Sequence, residues 1–116
     1  MTEQPAFIQG VFAFEDRGLA TPAPFSAPAV YKVPDDRRSQ TVYFRAGNAS
    51  DELISFVLTR DGVIMRYFPV GARSSLHVAL AVLEDLSPGS VIEVLASAPA
   101  GLKGEAVVDV GFMEIL

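Results

Sequence analysis

Few residues in this 116-residue chain are able to do chemistry, and their spacing narrows the field further. His77 is the only histidine and there is no cysteine. Multi-histidine zinc sites, thiolate metal sites, disulfides and cysteine nucleophiles are therefore excluded. A serine–histidine–acid set would have to join His77 to Ser74 or Ser75 and to Asp85, and these serines lack the strained nucleophile-elbow motif. On an apolar β segment such a lone histidine reads as a partly buried packing residue. The carboxylates come as neighbours, Asp35-Asp36, Asp51-Glu52 and Glu84-Asp85. Adjacent strand residues point to opposite faces, so none of these pairs makes an acid/base dyad. None has the DxDxDG spacing of a calcium loop either. Gly47, Gly62, Gly71, Gly89, Gly101 and Gly104 are scattered through turns and form no phosphate loop. The chain reads as a non-enzyme without metal or cofactor.

What is left for binding is a polar cluster of Tyr43, Arg45 and Arg66, with Arg73 as a further candidate. Tyrosine and arginine together suit a sugar or a carboxylate, by stacking and by forked hydrogen bonds. Ordinary solvated surface charge is the competing reading.

The elements that must hold these residues are strands. Two apolar runs within Leu53–Val70 flank Asp61-Gly62, the strongest short-range hairpin signal. A two-residue loop would pair Leu58 with Met65, Phe56 with Tyr67 and Ile54 with Pro69. A three-residue loop would shift the partners by one and exchange the buried set. The two-residue register is preferred because it keeps Arg66 off the more apolar face. Both faces of this ribbon are apolar, which calls for cover on both sides.

Around it, residues 6–14, 29–33, 40–46, 91–98 and 105–116 read as strands. In residues 40–46, Val42, Phe44 and Ala46 alternate with Thr41, Tyr43 and Arg45. Gly10 and Gly111 suggest bulges, the second moving Met113 and Ile115 inward. Residues 76–83 are ambiguous between helix and strand. As a strand, Leu76, Val78, Leu80 and Val82 would alternate with His77, Ala79, Ala81 and Leu83, and the β-like neighbours favour this. Residues 18–29 carry Pro22, Pro24 and Pro28 and are expected to form an extended arm, with Phe25 as its apolar anchor. LSPGSVIEV, Leu86 to Val94, resembles the turn before a late strand of fibronectin type III domains. That family has tyrosine where this chain has Ile92, and its tryptophan has no counterpart here. The resemblance spans nine residues and implies a β-sandwich.

The expected fold is thus a single-domain, all-β antiparallel sandwich or jelly roll of about eight strands, with turn signals every 8–12 residues. Half the residues are apolar, only 20% are charged and the mean hydropathy is +0.33. So small a domain with so little charge is expected to have surface covered by a partner. Net charge is −5, and no basic stripe supports nucleic-acid binding. No apolar run is long enough to span a membrane, and no basic leader precedes an apolar run, so a cytoplasmic location is expected. These features favour a non-catalytic structural or interaction subunit, a homo-oligomer or part of a larger assembly. Its expected contact residues are Phe25, Tyr67, Phe68 and Val70. The alternative is a small-ligand module for a carbohydrate or an anion, built on Tyr43, Arg45 and either Arg66 or Tyr67.

Overall fold

In a computed structural model, which describes residues 2–81 and 84–116, the chain forms two antiparallel sheets. The strands are β1 (Glu3–Glu15), β2 (Ala23–Lys32), β3 (Arg38–Asn48), β4 (Ile54–Arg60) and β5 (Val63–Val70). They continue with β6 (Ser74–Ala79), β7 (Asp85–Leu86), β8 (Val91–Ser97) and β9 (Lys103–Ile115). The front sheet runs β1-β9-β3-β6, with β7 also pairing β3, and the back sheet runs β2-β8-β4-β5. The expected β-sandwich is therefore present. Among the described residues, no helix is long and apolar enough to cross a membrane.

The core lies between the sheets and is threaded by phenylalanines. Phe12 on β1 meets Phe25 on β2 at 5.3 Å between ring centroids, and Phe25 meets Phe56 on β4 at 6.4 Å. Phe56 in turn meets Phe44 on β3 at 6.1 Å, and Phe44 stacks flat on Phe68 of β5 at 4.0 Å. Such ring pairs contribute about 0.5–1.5 kcal/mol each beyond their buried area. This spine joins five strands from both sheets.

The spine corrects the expected arm. Residues 23–32 form an edge strand, and Phe25 is only 2% exposed, filling this chain's own core. The prolines fit because an edge strand tolerates missing donors. The ladder between β2 and β8 breaks between Pro24 and Ala29, which lets Phe25 leave it and turn inward.

The hairpin follows the preferred register only at its tip. Asp61 and Gly62 have φ of 50° and 82°, as a type I′ turn requires, and Arg60 pairs with Val63 and Thr59 with Ile64. A bulge then leaves Met65 unpaired, so that Leu58 faces Arg66, Val57 faces Tyr67 and Phe56 faces Phe68. One extra residue reverses the parity of the rest of the strand. Phe68 and Val70 are consequently buried, while Tyr67 is 63% exposed on the outer face.

A second bulge lies in β3, not at either glycine suspected of one. The β1–β9 ladder runs unbroken from Glu3 opposite Ile115 to Glu15 opposite Lys103. Between β3 and β9 the register shifts at Val42, which is exposed while Phe44 and Ala46 stay in the core. Phe112 and Glu114, rather than Met113 and Ile115, point inward. The ambiguous segment is strand from Ser74 to Ala79, and the expectation for Val82 and Leu83 lies outside the described residues.

Two polar groups inside this framework have measurable consequences. Buried Asn48 ties the front sheet to the back one. Its Nδ2 lies 2.8 Å from Glu52 O and 3.1 Å from both Val70 O and Gly71 O, and its Oδ1 accepts the Ser50 N–H at 2.9 Å. Asn48→Ala strands these carbonyls, and we expect a loss of about 2 kcal/mol in a denaturant titration. Asp16 is buried at the end of β1, and its Oδ2 has no hydrogen-bond partner among the described residues. Burial pushes its carboxyl up to about 6, from an ordinary 3.8. The unfolded chain therefore ionises first, and Asp16 takes stability away as pH rises from about 4 to about 6. Asp16→Asn should raise the melting temperature at pH 7.5, and the difference from the wild type should disappear below pH 4.

Candidate functional site

On the front sheet, alternation and register bring four strands to one exposed face. Gln9 on β1 sits opposite Asp109 on β9, Asp109 opposite Arg45 on β3, and Arg45 opposite His77 on β6. One level along the strands, Phe7, Gly111, Tyr43 and Ala79 form a second row, and on the other side Val11, Val107, Gly47 and Ser75 form a third. Strands about 4.8 Å apart and same-face positions about 6.8 Å apart give a patch about 14 Å across.

Asp109 organises the middle of this face. Its Oδ1 accepts the Tyr43 hydroxyl at 2.7 Å and the Gln9 amide at 3.1 Å, while Arg45 approaches Oδ2 at 3.7 Å. The carboxylate is thereby engaged at both oxygens, whereas the guanidinium, in a long and half-exposed contact, keeps donors for another partner. His77 meets the Tyr43 ring edge-on at 5.9 Å, and the Arg45 guanidinium lies 5.7 Å from the ring centroid. Desolvation first, then the hydrogen bond and charge of Asp109, raise the Tyr43 phenol above the usual tyrosine range; Arg45 and Gln9 pull it partly back.

The Tyr43 ring can lie where it does because residue 111 is glycine. A Cβ there would fall 2.0 Å from Tyr43 Cε2 and 2.5 Å from Cδ2. The ring is spread across the bare backbone of β9, with its hydroxyl delivered to Asp109 two residues away. Gly111 is a seat for a neighbouring side chain, not a bulge.

Beside the cluster the same face dips into a depression of about 490 Å³. Gly47 forms its floor, Val107 and Glu105 stand on the β9 side, and Arg73, Ser74 and Ser75 on the β6 side. Arg73 is held in place by its turn. Its φ is 52°, its N–H donates to Ser50 O at 3.0 Å, and its side chain pairs with Asp51 at 2.6 Å.

The residues expected to bind a ligand are therefore divided. Tyr43 and Arg45 share the front face, and Arg73 borders its depression. Arg66 belongs to the back sheet. The Met65 bulge turns it inward, opposite Leu58, at the open edge between the sheets, where it bonds Glu84 at 3.1 Å. Tyr67 faces outward on the back sheet, away from Tyr43. Gln9, Asp109 and Gly111 were missed, and His77 is exposed rather than a partly buried packing residue. The supposed triad does not assemble either: Ser74 donates to Ala72 O, and Asp85 is taken up by Arg38 and Gln40.

No protein-family model matches the chain, and no curated protein does. Solved structures share its fold at low identity. The CBM36-1 domain of a multidomain xylanase from the hindgut metagenome of Trinervitermes trinervoides aligns with a TM-score of 0.59 and 12% identity, covering 95% of this chain and 96% of that one. A family 35 carbohydrate binding module from Clostridium thermocellum aligns with a TM-score of 0.54 and 14% identity, over 94% and 97%. A chain of the infectious bursal disease virus Gx strain gives 0.53 and 9%, and this protein matches 31% of its length.

The expectation of a structural or assembly subunit is overturned on two counts. Three of its four contact residues, Phe25, Phe68 and Val70, lie in the chain's own core. Two structures that align over nearly their whole length are carbohydrate-binding modules.

The Gly111 seat can be tested directly. Gly111→Ala should force the Tyr43 ring away and break its bond to Asp109, and the Tyr43 phenol should then titrate lower, towards the ordinary tyrosine range. Ultraviolet titration against a Tyr43→Phe control would show this, and an unmoved titration would mean that the ring does not rest on Gly111.

Proposed function

We propose that this protein is a non-catalytic β-sandwich module that binds carbohydrate on the outer face of its front sheet. The observation that carries the reading is the Tyr43 ring spread over Gly111, surrounded by Gln9, Arg45, His77 and Asp109. A sugar ring presents an apolar C–H face and a rim of hydroxyls. An aromatic ring pinned flat serves the first, and planar guanidinium, amide and carboxylate groups serve the second. The fold likeness to two carbohydrate-binding modules over nearly the whole chain supports the same reading.

The two carboxylates that β9 presents on this face are not spaced for hydrolysis. Glycoside hydrolases place two carboxyl groups about 5–9.5 Å apart. Asp109 and Glu105 are the carboxylates β9 contributes here, and four residues of strand separate them by roughly 13 Å.

Binding to a glycan array, followed by calorimetry with xylan-derived oligosaccharides, tests the proposal. Tyr43→Ala and Arg45→Ala should each weaken the strongest interaction at least tenfold, or about 1.4 kcal/mol, with the circular dichroism spectrum unchanged. Retention of no glycan at millimolar concentration, or full affinity in both variants, would reject it.

A further inference from the structure

We infer that the ligand is a neutral oligosaccharide of two or more sugars, laid lengthwise along β3 from the Tyr43–Arg45 cluster into the Gly47 depression. This rests on the reading of the front face as a sugar-binding surface and goes on to specify the ligand's length, direction and charge.

Direction follows from where the face is filled and where it is open. Across the strands, the row Gln9–Asp109–Arg45–His77 is occupied by side chains, and Asp109 bonds Gln9 and pairs with Arg45. Along β3, the outward positions are Tyr43, Arg45 and Gly47, which is a stacking ring, a hydrogen-bond fork and then empty space. The neighbouring strands keep the same levels, Asp109 then Val107 on β9 and His77 then Ser75 on β6. Three strands therefore change together from a polar cluster to a glycine-floored hollow.

Length follows from the distance. Tyr43 and Gly47 are four residues apart on one strand, roughly 13 Å, which is more than one pyranose ring spans. At about 490 Å³ the hollow falls within the range of small-molecule sites and has an apolar wall in Val107 and polar rims in Ser75, Arg73 and Glu105. A monosaccharide stacked on Tyr43 would leave it empty.

Charge follows from the pairing. Arg45 is matched by Asp109, Arg73 by Asp51 and Lys103 by Glu15. Glu105, also exposed on this face, adds negative charge. The surface offers an acidic sugar no surplus of cations, whereas hydroxyls can share the donors and acceptors without breaking an ion pair.

The test is calorimetric titration of the full chain with xylose, xylobiose and xylotriose, the matching cello-oligosaccharides, and tri-galacturonate. Affinity should rise at least tenfold from one neutral sugar to three, and tri-galacturonate should bind more weakly than either neutral trimer. Gly47→Val fills the hollow. It suits a strand, because Gly47 is not in the left-handed region and a Cβ there would meet only Val107, at 3.6 Å. That variant should lower trisaccharide affinity to the level of the monosaccharide. Should it not fold, Arg73→Ala, at an exposed pair, should cost the trisaccharide several-fold. Equal affinity for one and three sugars, an unaffected trisaccharide in the variants, or tighter tri-galacturonate binding would overturn this inference and leave the binding function standing. Failure of every sugar would overturn both.

Discussion

Strand β9 is the constraint on which the rest of the molecule depends. It pairs with β1 along thirteen residues and with β3 along most of its other edge. A strand bonded on both sides cannot slip by one residue without exchanging its own core and solvent faces and losing its register with both neighbours at once. Its alternation sends Ala106, Val108, Val110 and Phe112 into the core, and it presents Glu105, Val107, Asp109 and Gly111 outward. The front face is thus the reverse side of the core packing. A one-residue change in register would spoil the site and also turn Asp109 into the core.

The phenylalanine spine makes that face stiff. Phe44 stacks on Phe68 directly behind the strand that carries Tyr43 and Arg45, and Asn48 locks the end of the same strand to loops of the back sheet. A platform held in this way would lose little freedom on binding, as the proposed recognition of a sugar requires. At the opposite end, the Tyr31 hydroxyl donates to buried Glu114 at 2.7 Å, and Arg37 reaches the other carboxylate oxygen at 3.3 Å. The two sheets are therefore joined by polar ties near both ends as well as by the rings between them.

Glycine plays two different parts on the front face. At Gly111 the missing side chain makes room for Tyr43, which covers the strand in its place. At Gly47 no neighbour moves in, and the gap stays open as the floor of the depression. One absence builds a platform, the other a hollow, and the two lie on adjacent strands of the same sheet.

Much of this was legible in the amino-acid sequence, because it depends on local rules. The period-two pattern puts Tyr43 and Arg45 on one face, Asp61-Gly62 turns the chain, and proline and glycine mark the loops. The lack of cysteine and the single histidine removed whole classes of chemistry. Parity beyond the bulges was not legible. One unpaired residue at Met65 reverses every side chain after it, and one at Val42 turns Val42 itself outward and Thr41 inward, while nothing local in either stretch marks the insertion. Arg66, Tyr67 and Phe68 changed places for that reason, and Phe25 passed from a supposed arm into the core. Nor does sequence reveal which strands are neighbours. Gln9, Arg45 and Asp109 are far apart in the chain, and only the placing of β9 between β1 and β3 makes them one site. Residue types and periodicity determined the sandwich and the candidate pair on β3. Long-range strand pairing, set by how both faces of β9 could be satisfied together, decided what surrounds that pair.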